Sequence, residues 1–312
     1  MKTIYKMNDL GKMEKSETFE TNNWVHLTSP SESEIDEISS TFYIQKRLLL
    51  KLLDRSELPR IEVSHNNVLV VIDLPYTVEY AKKKKYRVMP LGIILMKNGM
   101  ITIANQEHPL ILDVKQNPPV DLSLENKKNF LLYLIGKSVE YYLRYLNEIQ
   151  EDIRAKEAIL VKATNNKELV HMLTLEKSLV YFITSLKGNQ VVLEKLETLP
   201  IISLEEKELE LLRDVKIETN QAIEMTNIYR EILDSTMDTY GTVISNNLND
   251  VMKFLTSITL VISIPTMIAS FLGMNVPLGE VGVNPLSFLF LVLLSIIVSV
   301  VLIVILHRKN LL

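Results

Sequence analysis

"FLTSITLVISIPTMIASFLGMN", residues 254–275, decides how the rest of the chain is read. Its first 19 residues, 254–272, carry no charge. A helix rising about 1.5 Å per residue crosses the roughly 30 Å hydrocarbon core of a bilayer in about 20 residues. A second run, "LSFLFLVLLSIIVSVVLIVIL", covers 286–306 and is 21 residues long without a charge. The segment between them, 273–285, holds one acid, Glu280, and no Lys or Arg. Lys253 stands just before the first run, and Arg308 and Lys309 lie in the tail 307–312. Lys and Arg mark the cytoplasmic side of membrane spans. Two spans forming a hairpin, with both chain ends cytoplasmic and 273–285 outside, is the expectation.

The spans differ in character. The second is Leu, Val and Ile with a few Ser, which suits a lipid-facing helix. In the first, Thr256, Thr259, Ser263, Thr266 and Ser270 follow a 3-4-3-4 spacing and share one face. The same spacing run backwards meets Met252, Asn249, Ser245, Thr242, Asp238 and Ser235. Small polar residues on one face of a membrane helix turn away from lipid, towards close packing or water. Continuation of the stripe into Asn249 and Asp238 points to a pore lined by parallel copies of this helix. Two spans per chain cannot enclose a pore, so the chain is expected to oligomerise. Met252 and Leu255 can form an apolar constriction that closes by dewetting.

Upstream, "SLEE" (203–206) reads as a capping box with Ser203 at the helix start and Glu206 reaching back. No strong breaker follows before Leu272 except Gly241 and Pro265. A stalk helix over 203–253, continuous with the first span, is expected, about 100 Å long in all. Residues 1–200 read as a cytoplasmic domain of α+β class, layered α/β/α. "IEVSHNNVLVVIDL" (61–74) gives two strands around His65-Asn66-Asn67. "YRVMPLGIILMKNGMITIANQE" (86–107) gives a hairpin turning at Asn98-Gly99, a dipeptide of type I′ turns. Pro90 implies that its strand starts late or lies at an edge. Helical pattern covers about 123–163, then 166–187 and 190–198. The run Lys82–Lys85 reads as a solvated loop.

Composition narrows the function. The 312 residues carry 34 Lys plus Arg against 38 Asp plus Glu, which leaves no basic footprint for nucleic acid. The chain has no cysteine, and thus neither disulfides nor thiolate metal sites. Its first 20 residues lack the apolar core of a signal peptide. No P-loop, nucleophile elbow or HExxH is present, the five histidines are scattered, and no enzyme activity is expected.

Gly273-Met274-Asn275 at the outer end of the first span, a second span ending in basic residues, and the long helix before them resemble the CorA family of divalent-cation channels. "SNNLNDVMKFLT" (245–256) looks like that family's junction between stalk and membrane, and "PTMIASFLGMN" (265–275) like its first span. "NNWVHLTSPSESEIDEIS" (22–39) is similar to its opening strand and helix, and "ELPRIEVSHNNVLVVIDLPY" (57–76) to the hairpin that follows. The family commonly has Tyr where this chain has Leu272, and an aromatic where it has Val276-Pro277.

The resemblance implies a funnel-shaped homopentamer in the plasma membrane. Mg²⁺ is then both the transported and the regulatory ion, with Co²⁺ and Ni²⁺ as further candidates. Asn275, repeated around an axis, offers an amide acceptor to the waters of a hydrated Mg²⁺, which sheds water reluctantly. Gly273 would permit a tight backbone and Met274 would pack. Glu280 would stand at the outer entrance, and Asn249, Met252, Leu255, Thr256, Thr259, Ser263, Thr266 and Ser270 would line the pore. Symmetry copies of Asp238 repel one another unless a cation lies between them. Internal Mg²⁺ held near Asp238, with Glu79 of a neighbouring copy, would keep the stalks closed. Two alternatives stay open: a zinc transporter like the ZntB branch, with or without proton coupling, and a hairpin-anchored scaffold or sensor that conducts nothing.

Overall fold

The computed structural model describes residues 1–8, 11–64, 67–80, 83–119, 122–160, 166–274, 285–309 and 311. The chain divides into two compact units, Met1–Thr236 and Met237–Leu312.

The first unit is built on a seven-stranded sheet. Its strands are β1 (Lys2–Met7), β2 (Met13–Ser16), β3 (Asn23–Thr28), β4 (Arg60–Ser64), β5 (Asn67–Tyr80), β6 (Lys83–Met96) and β7 (Gly99–Ala104). The order across the sheet is β2-β1-β3-β7-β6-β5-β4. Only the β3–β7 pair is parallel. Side chains alternate faces along a strand, and that alternation assigns the layers. Val25, Leu27, Leu69, Val71, Ile94, Ile101 and Ile103 cluster with Ile35 and Ile38 of α1 (Glu32–Phe42) and Leu49 of α2 (Lys46–Lys51). Trp24 and His26, one residue out of phase, face the other way. The Trp24 ring lies 5.2 Å from that of Phe130 on α4 (Lys127–Leu160), and its Nε1 donates to Thr102 Oγ1 at 2.8 Å. Helices on both sides make the α/β/α layering that the sequence implies.

α3 (Pro109–Gln116) is a short addition that periodicity did not reveal. His108 caps it, its Nδ1 accepting from Leu110 N–H at 3.0 Å while Nε2 meets Pro75 O at 2.7 Å. α4 is followed by α5 (Asn166–Thr198) and by α6 (Glu206–Leu272), a single helix of 67 residues that runs out of the first unit into the second. Side-chain contacts give the helix directions. Asn126–Glu208 and Tyr229–Gln150 pairs make α4 and α6 parallel, while Gln190–Asn220 and Lys216–Glu197 pairs make α5 and α6 antiparallel.

Several sequence expectations need correction. The β6–β7 turn is formed by Lys97-Asn98, since Met96 pairs with Gly99, and neither turn residue has a positive φ. Gly99 is small for another reason: a Cβ there would lie 2.6 Å from Asn23 O and 2.8 Å from the Phe19 ring. Pro90 sits inside β6, buried, opposite Asp73. Both backbone groups of Asp73 bond to the Asn189 carboxamide, N–H to Oδ1 at 2.8 Å and C=O from Nδ2 at 2.9 Å. Asp73 and Pro90 therefore share no rung, and proline's missing N–H costs the ladder nothing. Helix α5 does not break near residue 188; Gly188 lets it approach Pro59, whose Cγ would lie 2.8 Å from an added Cβ. Lys83–Lys85 belong to β6 rather than a loop, and Lys84 pairs with Glu148 on α4 at 3.1 Å. His65 and Lys82 lie outside the described residues.

The start of α6 is also shifted. Ser203 takes a left-handed φ of 39° and its carbonyl accepts from Lys128 Nζ at 2.5 Å. Glu205 is the cap, with its N–H bonded to Glu208 Oε2 at 2.7 Å. Glu208 Oε1 accepts from Asn126 Nδ2 at 2.7 Å, and Asn126 Oδ1 takes the Asn129 N–H at 3.0 Å at the start of α4. One Asn–Glu pair thus satisfies orphan donors of two helices.

Burial sets unusual proton affinities in this unit. Desolvation, assisted by the Lys115 charge, lowers His26 from 6.5 to about 3. Desolvation likewise lowers His108 from 6.5 to about 4. Asp73, buried, is raised by desolvation from 3.8 to about 6, with Ser185 Oγ donating to it at 2.6 Å and opposing the shift. Both histidines are held neutral, so their contribution to stability is complete above about pH 6.5 and is lost as pH falls through their folded values. The Asp73 contribution runs the other way, complete below about pH 3.8 and lost as pH rises through about 6. Trp24 is the only tryptophan and is fully buried, so its emission reports this unit alone. Urea unfolding of the full chain in detergent, followed at Trp24, is expected to give stability that rises with pH between about 4 and 6, and more steeply in Asp73→Asn.

Candidate ion pathway

Three helices are long and apolar enough to cross a membrane among the described residues, and burial separates them. In Leu169–Thr198, within α5, 50% of the apolar window is buried, against β4, β5 and β6 of the first unit. The windows in α6 and in α7 (Pro285–Arg308) are only 6% and 11% buried. That much apolar surface facing outward calls for lipid or other copies around it.

Within the second unit, α6 and α7 meet along narrow faces. On α7 the shielded positions are Ser287, Leu291, Ser295, Ser299, Leu302 and Leu306, while their neighbours are exposed. The serines of this helix thus lie on its shielded face, and most of its Leu, Val and Ile positions are left exposed. On α6 the shielded positions are Ser257, Ile258, Val261, Ile264, Pro265 and Ile268.

The polar stripe occupies another face. Asp238, Thr242, Ser245, Asn249, Met252, Leu255, Thr256, Thr259, Ser263, Thr266 and Ser270 are all exposed on the single chain. Met252 and Leu255 expose 59% and 57% of their surface, more than an apolar side chain keeps in a finished interface. The hydroxyls are oriented by their own helix. Thr259 donates to Leu255 O at 2.8 Å, Ser263 to Thr259 O at 2.7 Å, and Thr266 to Ile262 O at 2.9 Å. Thr242 does the same to Asp238 O at 3.2 Å. A hydroxyl that spends its one proton on the carbonyl four residues back keeps its lone pairs for whatever stands in front. The stripe therefore presents acceptors.

At the outer end, Gly273 N–H closes the helix on Ala269 O at 3.0 Å and Ser270 O at 3.2 Å. Its φ is not left-handed, and an added Cβ would come no nearer than 3.5 Å to Ser270 O. A tight backbone within the chain is thus not what requires glycine here. Met274 is 52% exposed on the single chain. Asn275 and Glu280 lie outside the described residues.

The two acids singled out for regulation fall in different units. Glu79 is exposed on β5, opposite Lys84 in the register, and Asp238 is exposed on α6. Among the described residues no three His, Cys, Asp or Glu of one chain converge to hold a metal ion. The histidines carry other duties: His26 bonds Thr102 at 2.8 Å, His171 bonds Asp152 at 2.6 Å, and His307 is exposed. Sequence reasoning passed over Ser257, the one hydroxyl of 256–270 off the stripe, although its being off the stripe was itself the signal. It is 3% exposed and donates to Leu311 O at 2.8 Å.

The family model described as CorA-like Mg²⁺ transporter protein matches residues 19–309. The cobalt/magnesium transport protein CorA of Methanocaldococcus jannaschii is 28% identical over 297 residues, covering 92% of this chain and 90% of that one. The complete structure of the CorA magnesium transporter from the same organism superposes with a TM-score of 0.81 at 24% identity, covering 100% of this chain and 99% of the other. The ZntB cytoplasmic domain of Vibrio parahaemolyticus shares the fold at a TM-score of 0.59 and 12% identity, covering 79% of this chain and 97% of that domain. With the family pattern running through both units, from the sheet to the end of α7, the chain belongs to the CorA-like Mg²⁺ transporter family.

Proposed function

We propose that this chain is a Mg²⁺ channel of the cell membrane, a funnel-shaped homopentamer with both chain ends in the cytoplasm. The observation that carries the reading is the exposed stripe of α6, whose hydroxyl protons are turned back onto the helix. Water bound to a cation points its hydrogens outward, so a lining of acceptors suits a hydrated cation, while a hydrated anion would need donors. Mg²⁺ dehydrates reluctantly, which favours passage with its waters kept. Gly273, Met274 and Asn275 form the outer filter, with Asn275 as its amide ring, and Glu280 stands at the entrance. Asn249, Met252, Leu255, Thr256, Thr259, Ser263, Thr266 and Ser270 line the path. Met252 and Leu255 close it by dewetting. The exposure of these two residues on the single chain supports their facing other copies.

Entry needs no chemical energy. A membrane potential contributes about 2.3 kcal/mol per charge per 100 mV, hence about 4.6 for a divalent ion. Regulation needs a second copy, since no acid cluster within one chain can hold a metal among the described residues. Asp238 of one copy, with Glu79 of another, binds internal Mg²⁺ and holds the closed state.

Purified protein in liposomes under an inside-negative potential is expected to take up Mg²⁺, and Asn275→Ala to lose that uptake with oligomers intact. Zinc uptake driven by a proton gradient, without Mg²⁺ uptake, would replace the reading; Co²⁺ belongs in the same assay. Thr259→Val and Thr266→Val keep side-chain shape and remove an acceptor, and each is expected to slow uptake about fivefold, the factor of one hydrogen bond. The chain has no cysteine of its own, so single cysteines report cleanly. In the assembled protein, cysteines at 259, 263 and 266 are expected to react with water-soluble thiol reagents, and those at 261, 264 and 268 to be protected.

A further inference from the structure

Among the described residues of the second unit only Tyr240, Ser257 and Leu306 are buried. Two of these three meet at one place. α7 ends with Lys309 N–H bonded to Ile305 O and Leu306 O, both at 3.1 Å. Leu311 N–H also bonds to Leu306 O, at 3.0 Å. This places Leu311 O against α6, where it accepts the Ser257 hydroxyl at 2.8 Å, beside the buried Leu306. Ser257, Leu306 and Leu311 line the same hollow as Asn249, Met252 and Thr256 of the stripe.

The rest of the α6–α7 contact consists of partly exposed side chains held by van der Waals packing, which is not directional. A hydrogen bond is directional. At about 100° per residue, Met252 and Leu255 stand about 140° and 160° around the helix from Ser257. Holding Ser257 against Leu311 O therefore fixes where both apolar side chains stand around the axis of α6. Among the described residues of this unit, only Leu306 and Tyr240 are buried besides Ser257, so few other contacts oppose a turn of α6 about its axis once the bond breaks.

We infer that Leu306 and Leu311, at the end of α7 and just beyond it, form a clasp on Ser257 that sets the rotation of α6 and so positions the Met252–Leu255 constriction in its closed state. Ser257 is a positioning residue: it faces away from the ion path and acts through the helix that carries it. The inference rests on the constriction proposed above.

The test uses the full chain in liposomes at inhibiting internal Mg²⁺, with Thr259→Cys as the only thiol and a bulky, impermeant reagent on the cytoplasmic side. Ser257→Ala is expected to raise the rate of thiol modification, and the half-inhibiting Mg²⁺ concentration, about fivefold. Ser257→Thr, which keeps the hydroxyl, is expected to stay near the parent in both. Leu306→Ala, which loosens the same contact without touching the hydrogen bond, should shift both readings in the direction of Ser257→Ala. Modification rates in Ser257→Ala equal to the parent, with the oligomer intact, overturn the clasp. An unchanged rise in modification rate with no Mg²⁺ flux in any variant overturns the channel reading and leaves the clasp standing.

Discussion

A helix inside hydrocarbon must satisfy its own polar groups, because lipid offers no partner for them. In α6 this constraint reaches the side chains. Thr259, Ser263 and Thr266 close their hydroxyls onto carbonyls one turn back, which solves the donor problem in lipid and fixes what the helix shows on that face. The same bonds that let the helix enter the membrane leave a row of oxygen lone pairs pointing outward. Everything proposed about the path depends on that row being matched by other copies, since one copy leaves it open.

The first unit solves a different problem with the same economy of polar groups. β5 extends beyond β4, and its unpaired edge at Asp73 would leave two backbone groups without partners in a buried place. Asn189 on α5 supplies both bonds from one carboxamide, and Ser185 holds the Asp73 carboxyl. The Asn126–Glu208 pair does similar duty at the starts of α4 and α6. Buried polar groups are paired in these places because an unpaired one costs more than the pair gains. The pairs also tie the sheet to the helices and α6 to α4, so the stalk helix begins from a fixed support.

The parts of the fold legible in the sequence were those governed by period and length. The β4–β5 and β6–β7 hairpins and the long helices, the two most apolar among them, follow from alternation and from uninterrupted apolar runs. What misled was local chemistry read without neighbours. Asn98-Gly99 looked like a type I′ turn, yet Gly99 is needed because Asn23 and Phe19 approach it. Ser203-x-x-Glu206 looked like a capping box, yet the cap falls at Glu205 because Glu208 is drawn to Asn126. Pro90 looked like a strand end, and a side chain 116 residues from its partner Asp73 made it harmless. The interval between the helical stretches 166–187 and 190–198 holds Gly188, which serves as a close approach to Pro59.

By itself the sequence determined that two long apolar runs lie near the end of the chain, that most of its charge precedes them, and that a polar stripe runs through the first. Those properties depend on the transfer of whole segments between water and lipid, which composition and spacing measure directly. Tertiary structure alone decided which hydroxyls face the open side and which face α7, because residues at 256 and 257 are equally polar on paper and stand about 100° apart on the helix. It also decided that the stripe stays exposed on the single chain from Asp238 to Ser270. A 3-4 spacing drifts by about 20° per heptad on a straight helix, and only packing settles where that face ends up.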